Sequence, residues 1–168
     1  MTLSTPISAD VIRNHIAYSA WATQRLIDAA APLSSEQLNR DFGTADKSVL
    51  GTLVHIFRSE RSWRLRIKEG TPAIPYKLPE DEQWTILLTQ WPVIHEDWRK
   101  WAAGLSDTDS GRVIDYTDLK GNPWSQPIWH IVLHVVNHST HHRGQVSGFL
   151  RILGLTPPPL DFIAYMRQ

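Results

Sequence analysis

The sequence predicts an all-α fold, a four-helix bundle with a short β-hairpin inserted before the last helix. Three observations carry this expectation. Long stretches repeat apolar residues every three or four positions. Gly and Pro punctuate the gaps between them, and the one segment that reads as strand is broken by a turn-like Asp118-Leu119-Lys120-Gly121-Asn122-Pro123.

The first helix is expected from about Ser8 to Ala31, with Ile12, Ile16, Ser19, Ala20, Thr23, Ile27 and Ala30 on one face, Ser8 as its cap and Pro32 as its stop. The second opens near Asp46 and carries Val49, Leu50, Leu53, Ile56, Phe57, Trp63 and Ile67 until Gly70, Pro72 and Pro75 break it. Lys68 lies in its last turn, where a cation complements the helix dipole. The third follows Pro79, with Glu80, Asp81 and Glu82 in its first turn and Trp84, Leu87, Leu88, Trp91, Ile94, Trp98, Trp101 and Leu105 behind them. Pro92 should kink it. Val113, Ile114, Tyr116 and Trp124 flank the turn of the hairpin, expected between Gly111 and Pro127. The last helix should run from about Gln126 to Leu153 and end at Gly154. Beyond it, Pro157, Pro158 and Pro159 impose an extended tail that packs through Leu160, Phe162 and Tyr165. Four such helices make a bundle, and with no repeat or low-complexity segment the expectation is one domain over residues 1–168.

Composition narrows the chemistry. Lys plus Arg balance Asp plus Glu at 17 each, so no global charge favours nucleic acid or an acidic membrane surface. The absence of cysteine removes disulfides, a thiolate nucleophile and thiolate metal ligands together. No basic segment followed by an apolar run opens the chain, and no window approaches a membrane span, so a cytoplasmic protein is expected. The chain has 8 His, five of them between His130 and His142, and this cluster is the strongest chemical signal.

Residues four apart share a helix face, so His130, His134, His138 and His142 form a stripe with His141 beside it. A projection at about 100° per residue sets the apolar face by Val132, Val135, Val136, Val146, Leu150 and Leu153. His142 falls at the edge of that face and His138 one step further out, while His130, His134 and His141 point mainly to solvent. Two neutral imidazoles at this spacing suit a first-row metal, and a partly buried, hydrogen-bonded pair is the competing reading. His55 projects opposite Leu53 and Phe57, on a strip with Gly51, Ser59 and Ser62. Periodicity alone makes it a surface residue, although a wet groove would want the same placement. His15 and His95 have no partner at useful spacing and read as ordinary structural or surface residues.

The pattern His138, His142, Arg143, Gly144 and Gln145 resembles the His-x-x-x-His-Arg-Gly-Gln hallmark on the last helix of the DinB family of metal-binding four-helix proteins. The resemblance extends to Leu53 through Trp63 on the second helix, to the Asp118 to Trp124 turn, and to Leu160, Asp161 and Phe162 in the tail, in the family's order. It implies a three-histidine site on His55, His138 and His142 holding one divalent metal ion, zinc or nickel. It implies a homodimer, and an activity of the thiol-dependent transferase or isomerase kind, without specifying a substrate. Three neutral imidazoles leave a coordination position open, which favours chemistry such as hydrolysis or thiol transfer on a small-molecule substrate over stapling. With no cysteine in the chain, a reacting thiol must arrive as a low-molecular-weight compound. A metal-holding stress or binding protein without turnover is the alternative. No catalytic base is identifiable; Asn14, Tyr18 and Asp118 are neighbours by layout only. Arg143 and Glu60 both project onto apolar faces, where a lone charge is costly, so the two are expected to meet as an ion pair. Gly144 and Gly148, four apart, would let another backbone approach closely, from a second subunit or from within the bundle.

Overall fold

The computed structural model describes residues 6–70 and 75–168; Pro72, expected to help end the second helix, lies outside them. Helix α1 (Ala9–Ala30) begins where the Ser8 hydroxyl accepts the Val11 amide, and a short helix α2 (Ser35–Asn39) follows, closed by a reciprocal Ser34–Gln37 capping box. Helix α3 (Val49–Glu69) starts three residues later than expected, because Ser48, rather than Asp46, caps it by accepting the Gly51 amide at 3.0 Å. Gly70, at φ +75, ends it.

The third helix departs most from expectation. Glu80, Asp81 and Glu82 form a separate 3-10 turn (Pro79–Glu82), and the helical stretch behind it divides into α4 (Trp84–Thr89) and α5 (Trp91–Ala103). Pro92 sits in the first turn of α5 instead of inside a kinked helix. Its missing amide hydrogen costs nothing there, whereas mid-helix it would leave a carbonyl unpaired. After α6 (Asp107–Ser110) the hairpin forms as expected from β1 (Val113–Thr117) and β2 (Pro123–Pro127), antiparallel with Tyr116 opposite Trp124. Helix α7 (Ile128–Ile152) and a last turn α8 (Phe162–Tyr165) complete the chain.

Helix α7 packs against both α1 and α3, and α5 closes the bundle against α1. One apolar cluster joins Leu26, Leu53, Phe57, Leu87, Trp91, Val146 and Leu150; a second joins Ile12, Ile16, Trp98, Ile128, Val132 and Val135. The tail packs as expected, with Phe162 stacked on His15 at 4.8 Å and edge-on to Tyr18 at 5.2 Å. Among the described residues no helix is long and apolar enough to cross a membrane.

A polar layer also lies in the interior. Glu60 and Arg143 are buried as expected, 2% and 1% exposed, but they do not pair directly. Glu60 Oε2 accepts Trp91 Nε1–H at 2.7 Å and lies 3.0 Å from His95 Nε2; its Oε1 accepts from Ser139 at 3.0 Å and Ser19 at 3.4 Å. Arg143 Nη1 donates to that same Ser19 hydroxyl at 2.9 Å, and Nη2 donates to Thr140 Oγ1 at 2.9 Å. Ser19 therefore bridges the two charges, and the ring that meets the carboxylate directly is His95. Burial pushes the Glu60 carboxyl up, yet the His95 charge and hydrogen bond, Trp91 and Arg143 outweigh it and hold the group below the usual carboxylate range. This layer ties α1, α3, α5 and α7 together at the level of the functional site.

Candidate metal centre

His55, His138 and His142 converge where α3 meets α7. Their ring centroids are 4.9, 4.5 and 4.6 Å apart, a near-equilateral triangle, and one ring nitrogen from each lies within 4.8 Å of the other two. His55 Nε2 and His138 Nε2 face each other at 2.9 Å. Nitrogens each about 2.0–2.1 Å from a tetrahedral zinc ion sit roughly 3.4 Å apart, so small side-chain adjustments would seat a divalent ion. Chemically the donor set fits as well. The triangle brings together the three residues that the resemblance implies, and it leaves out His130, His134 and His141. His130 is occupied with Gln126 at 2.9 Å, His141 is exposed, and His134 stands edge-on to Trp63 at 5.2 Å.

The surroundings orient the rings. His142 Nδ1 lies 2.7 Å from Gln145 Oε1, which can only accept, so Nδ1 carries the proton and the Nε2 lone pair is left for a ligand. Gln145 and His142, both in the hallmark pattern, thus have linked roles. Asp46 presents its carboxylate to the Nδ1 atoms of two rings, 3.6 Å from His55 and 3.9 Å from His142. The loop holding Asp46 is pressed against α3: a Cβ on Gly51 would stand 2.1 Å from the Asp46 carbonyl oxygen, so only glycine allows this approach. Lys47 next to it takes a left-handed φ of 62. Tyr76 adds a hydroxyl 3.5 Å from His55 Nδ1, on a segment pinned to α3 by Arg58 and Arg61 on Asp81. Asp46→Asn is expected to weaken metal binding by about tenfold, the lower end for loss of a group that orients a ligand, since its distances exceed hydrogen-bond range. Competition against a chelating indicator measures this, and unchanged affinity would remove Asp46 from the site.

Desolvation, followed by the proximity of His142, His55 and His134, depresses His138 to about 4 from 6.5. His55 is lowered too, by burial that outweighs the pull of Asp46. Both rings are therefore neutral near pH 7, the state that binds metal. The unfolded chain takes up protons on these histidines below about pH 6.5 while the folded chain resists, so metal-free protein should lose stability as pH falls toward 4 and level off below it. Urea titrations of chelated protein across this range should show that slope, and His138→Ala should flatten it. Equal slopes in both proteins would refute the assignment.

A groove of about 630 Å³ opens on two of the three histidines, His55 and His138, walled with them by Trp63, Arg66, Tyr76, Tyr116 and His134 and overhung by the hairpin turn. Asp118 lines it, but its carboxylate accepts from Asn122, Lys120 and Trp124. Those bonds, the Asn122 side chain's first, hold it well below the usual carboxylate range and make it the clasp of the turn. Tyr18 donates to Leu160 O at 2.9 Å, and neither it nor the exposed Asn14 lines the groove. The strip Gly51, His55, Ser59 and Ser62, expected at the surface, is turned inward: both serines are buried and His55 is half-buried. Sequence reasoning also missed Asp46, Arg66 and Tyr76. A glycine three residues past a serine cap was the one hint of a loop pressed onto α3.

A profile of the DinB family matches residues 8–168. Among curated proteins, Protein DinB of Bacillus subtilis (strain 168) is 22% identical over 170 residues, covering 89% of this chain and 90% of the relative. An uncharacterized protein of that strain, YizA, is 27% identical over 135 residues, covering 78% and 80%. Among solved structures, a DinB-like protein from Bacillus cereus ATCC 10987 superposes with a TM-score of 0.62 at 21% identity, covering 85% of this chain and 91% of that one. YfiT from Bacillus subtilis, described as a probable metal-dependent hydrolase with an unusual four-helix bundle topology, superposes with a TM-score of 0.71 at 17% identity, covering 92% and 94%. These two likenesses bear on the fold, and the profile, spanning nearly the whole chain, shows that the protein belongs to the DinB family.

Proposed function

We propose that the protein is a metal-dependent enzyme that holds one divalent ion, zinc or nickel, on His55, His138 and His142 and acts on a small molecule by thiol transfer or hydrolysis. The observation that carries this reading is that two corners of the three-histidine triangle, His55 and His138, line a groove of about 630 Å³, large enough for a small substrate. A site meant only to hold metal has no use for that space. When bound, a divalent ion on three neutral nitrogens keeps a coordination position open and acidifies a water or thiol placed there.

The chain's own residues supply the rest. Gln145 and Asp46 orient the rings from behind, and the aromatic walls formed by Trp63, Tyr76 and Tyr116 exclude water on one side. The absence of cysteine means that a reacting thiol comes from solution as a low-molecular-weight compound. The YfiT description favours hydrolysis, with water as the acceptor. Protein loaded with zinc or nickel is tested against ester and amide substrates, and against electrophiles with added low-molecular-weight thiols. Turnover that is lost in His138→Ala supports the proposal. Stoichiometric metal with no turnover across both panels favours a metal-holding protein instead.

We also propose a homodimer acting in the cytoplasm. A Cβ at Gly144 or Gly148 would meet nothing within 4 Å, so this strip of α7 is open rather than packed within the bundle. Light scattering at micromolar concentration should give twice the 19.2 kDa chain mass; a monomer mass would refute the dimer.

A further inference from the structure

Arg66 stands apart from the other buried arginines of α3. Arg58 pairs with Asp81 at 2.9 Å and Arg64 with Asp97 at 2.9 Å, whereas no carboxylate among the described residues forms an ion pair with Arg66. It is only 5% exposed and it lines the groove. Its Nε donates to Thr117 O at 3.0 Å, and its guanidinium carbon lies 4.8 Å over Trp63 and 6.0 Å over Tyr116. One bond and two rings thus fix the plane of the fork. Burying an arginine that no carboxylate pairs with directly, Asp118 acting on it only from a distance, is costly, and a ligand anion would offset that cost.

We infer that Arg66 anchors the substrate: the groove takes a small monoanionic molecule whose carboxylate sits on the Arg66 fork and whose flat apolar body lies along the aromatic wall, its reactive end toward His55 and His138. This deepens the enzymatic reading above and rests on it. A guanidinium presents parallel N–H donors that match a carboxylate in a bidentate pair, which an ammonium cannot do. Charge selects a monoanion. Away from the histidines, the lining holds Arg66 and Lys120 against Asp118, so two cations against one carboxylate leave a single positive charge. Asp118, ionised through its hydrogen bonds, opposes a second negative charge. Trp63, Tyr116 and Trp124 line the same groove and supply its aromatic surface.

The test is calorimetric titration with a panel of aryl and arylalkenyl carboxylates, cinnamate among them, each paired with its uncharged amide and a phosphate monoester of the same body. Wild-type protein should prefer carboxylate over amide at least tenfold, and over the dianionic phosphate. Arg66→Gln should erase that preference, and Arg66→Lys should restore only part of it. Wild-type protein stripped of metal by a chelator should keep the preference. Retention of the preference in metal-loaded Arg66→Gln with its loss in chelated wild-type protein would place the carboxylate on the metal and overturn the anchor while sparing the metal site. A preference that survives in wild-type protein unable to bind metal would sustain the anchor and overturn the enzymatic reading. No carboxylate preference in wild-type protein, or tighter binding of the phosphate, overturns the inference without reference to any variant.

Discussion

Replacing His138 with alanine is expected to raise the metal dissociation constant by about a thousandfold, about 4 kcal/mol, while leaving the helical fold in place. The ring sits at one corner of a triangle whose centroid distances are 4.5 to 4.9 Å, and its Nε2 faces His55 Nε2 at 2.9 Å, so its loss leaves only two of three donors. His55→Ala and His142→Ala should behave alike. Alanine at His130, His134 or His141 should leave one metal bound, because none of these rings belongs to the triangle. His134 is the informative control: its centroid is 5.9 Å from that of His138, near enough to replace a lost ligand if the site were plastic. Titration of each purified variant with zinc against a chelating indicator decides the matter. Tight binding in His138→Ala together with weak binding in His134→Ala would mean that the ion sits one helical turn away.

Glu60→Ala is expected to lower stability by about 3–5 kcal/mol, the range for breaking a buried charged network. The side chain is 2% exposed and accepts from Trp91, Ser139 and Ser19 while pairing with His95. Alanine would strand those donors and leave Arg143 buried without its electrostatic counterpart. Glu60→Gln keeps the shape and part of the bonding, so it should cost less. The measurement is urea unfolding of chelated protein, since bound metal would add stability of its own. A loss under about 1 kcal/mol for Glu60→Ala would show that the layer is hydrated or rearranges.

Several of these features were legible in the sequence and others were hidden for identifiable reasons. Hydrophobic period located the long helices, and the projection of α7 singled out His138 and His142, because Val132, Val135, Val136, Val146 and Leu150 mark the buried side of that helix. The same arithmetic failed on α3. Periodicity equates polar with outside, but α3 is covered on most sides by α7, the hairpin and the 75–82 segment, so its polar strip lines a groove and an interior layer. Only the resemblance to a family placed His55. His95 was readable in principle: it lies between Trp91 and Trp98 on the buried face of α5, where a polar ring must find a partner, and Glu60 is that partner. The Ser19 hydroxyl between Glu60 and Arg143 was not readable, since facing charges on neighbouring helices do not reveal what lies between them. Asp46 and Tyr76 reach the site from irregular segments, which carry no period.

X-ray absorption at the metal edge of the protein as purified tests the central claim most directly. One divalent ion per chain should show a first shell containing three imidazole nitrogens, at about 2.0–2.1 Å for zinc, completed by oxygen ligands from solvent, and two imidazoles should disappear from that shell's count or the metal be lost when His55 and His138 are both changed to alanine. A shell with two imidazoles or fewer, or a three-imidazole shell that survives the double substitution, would contradict the account.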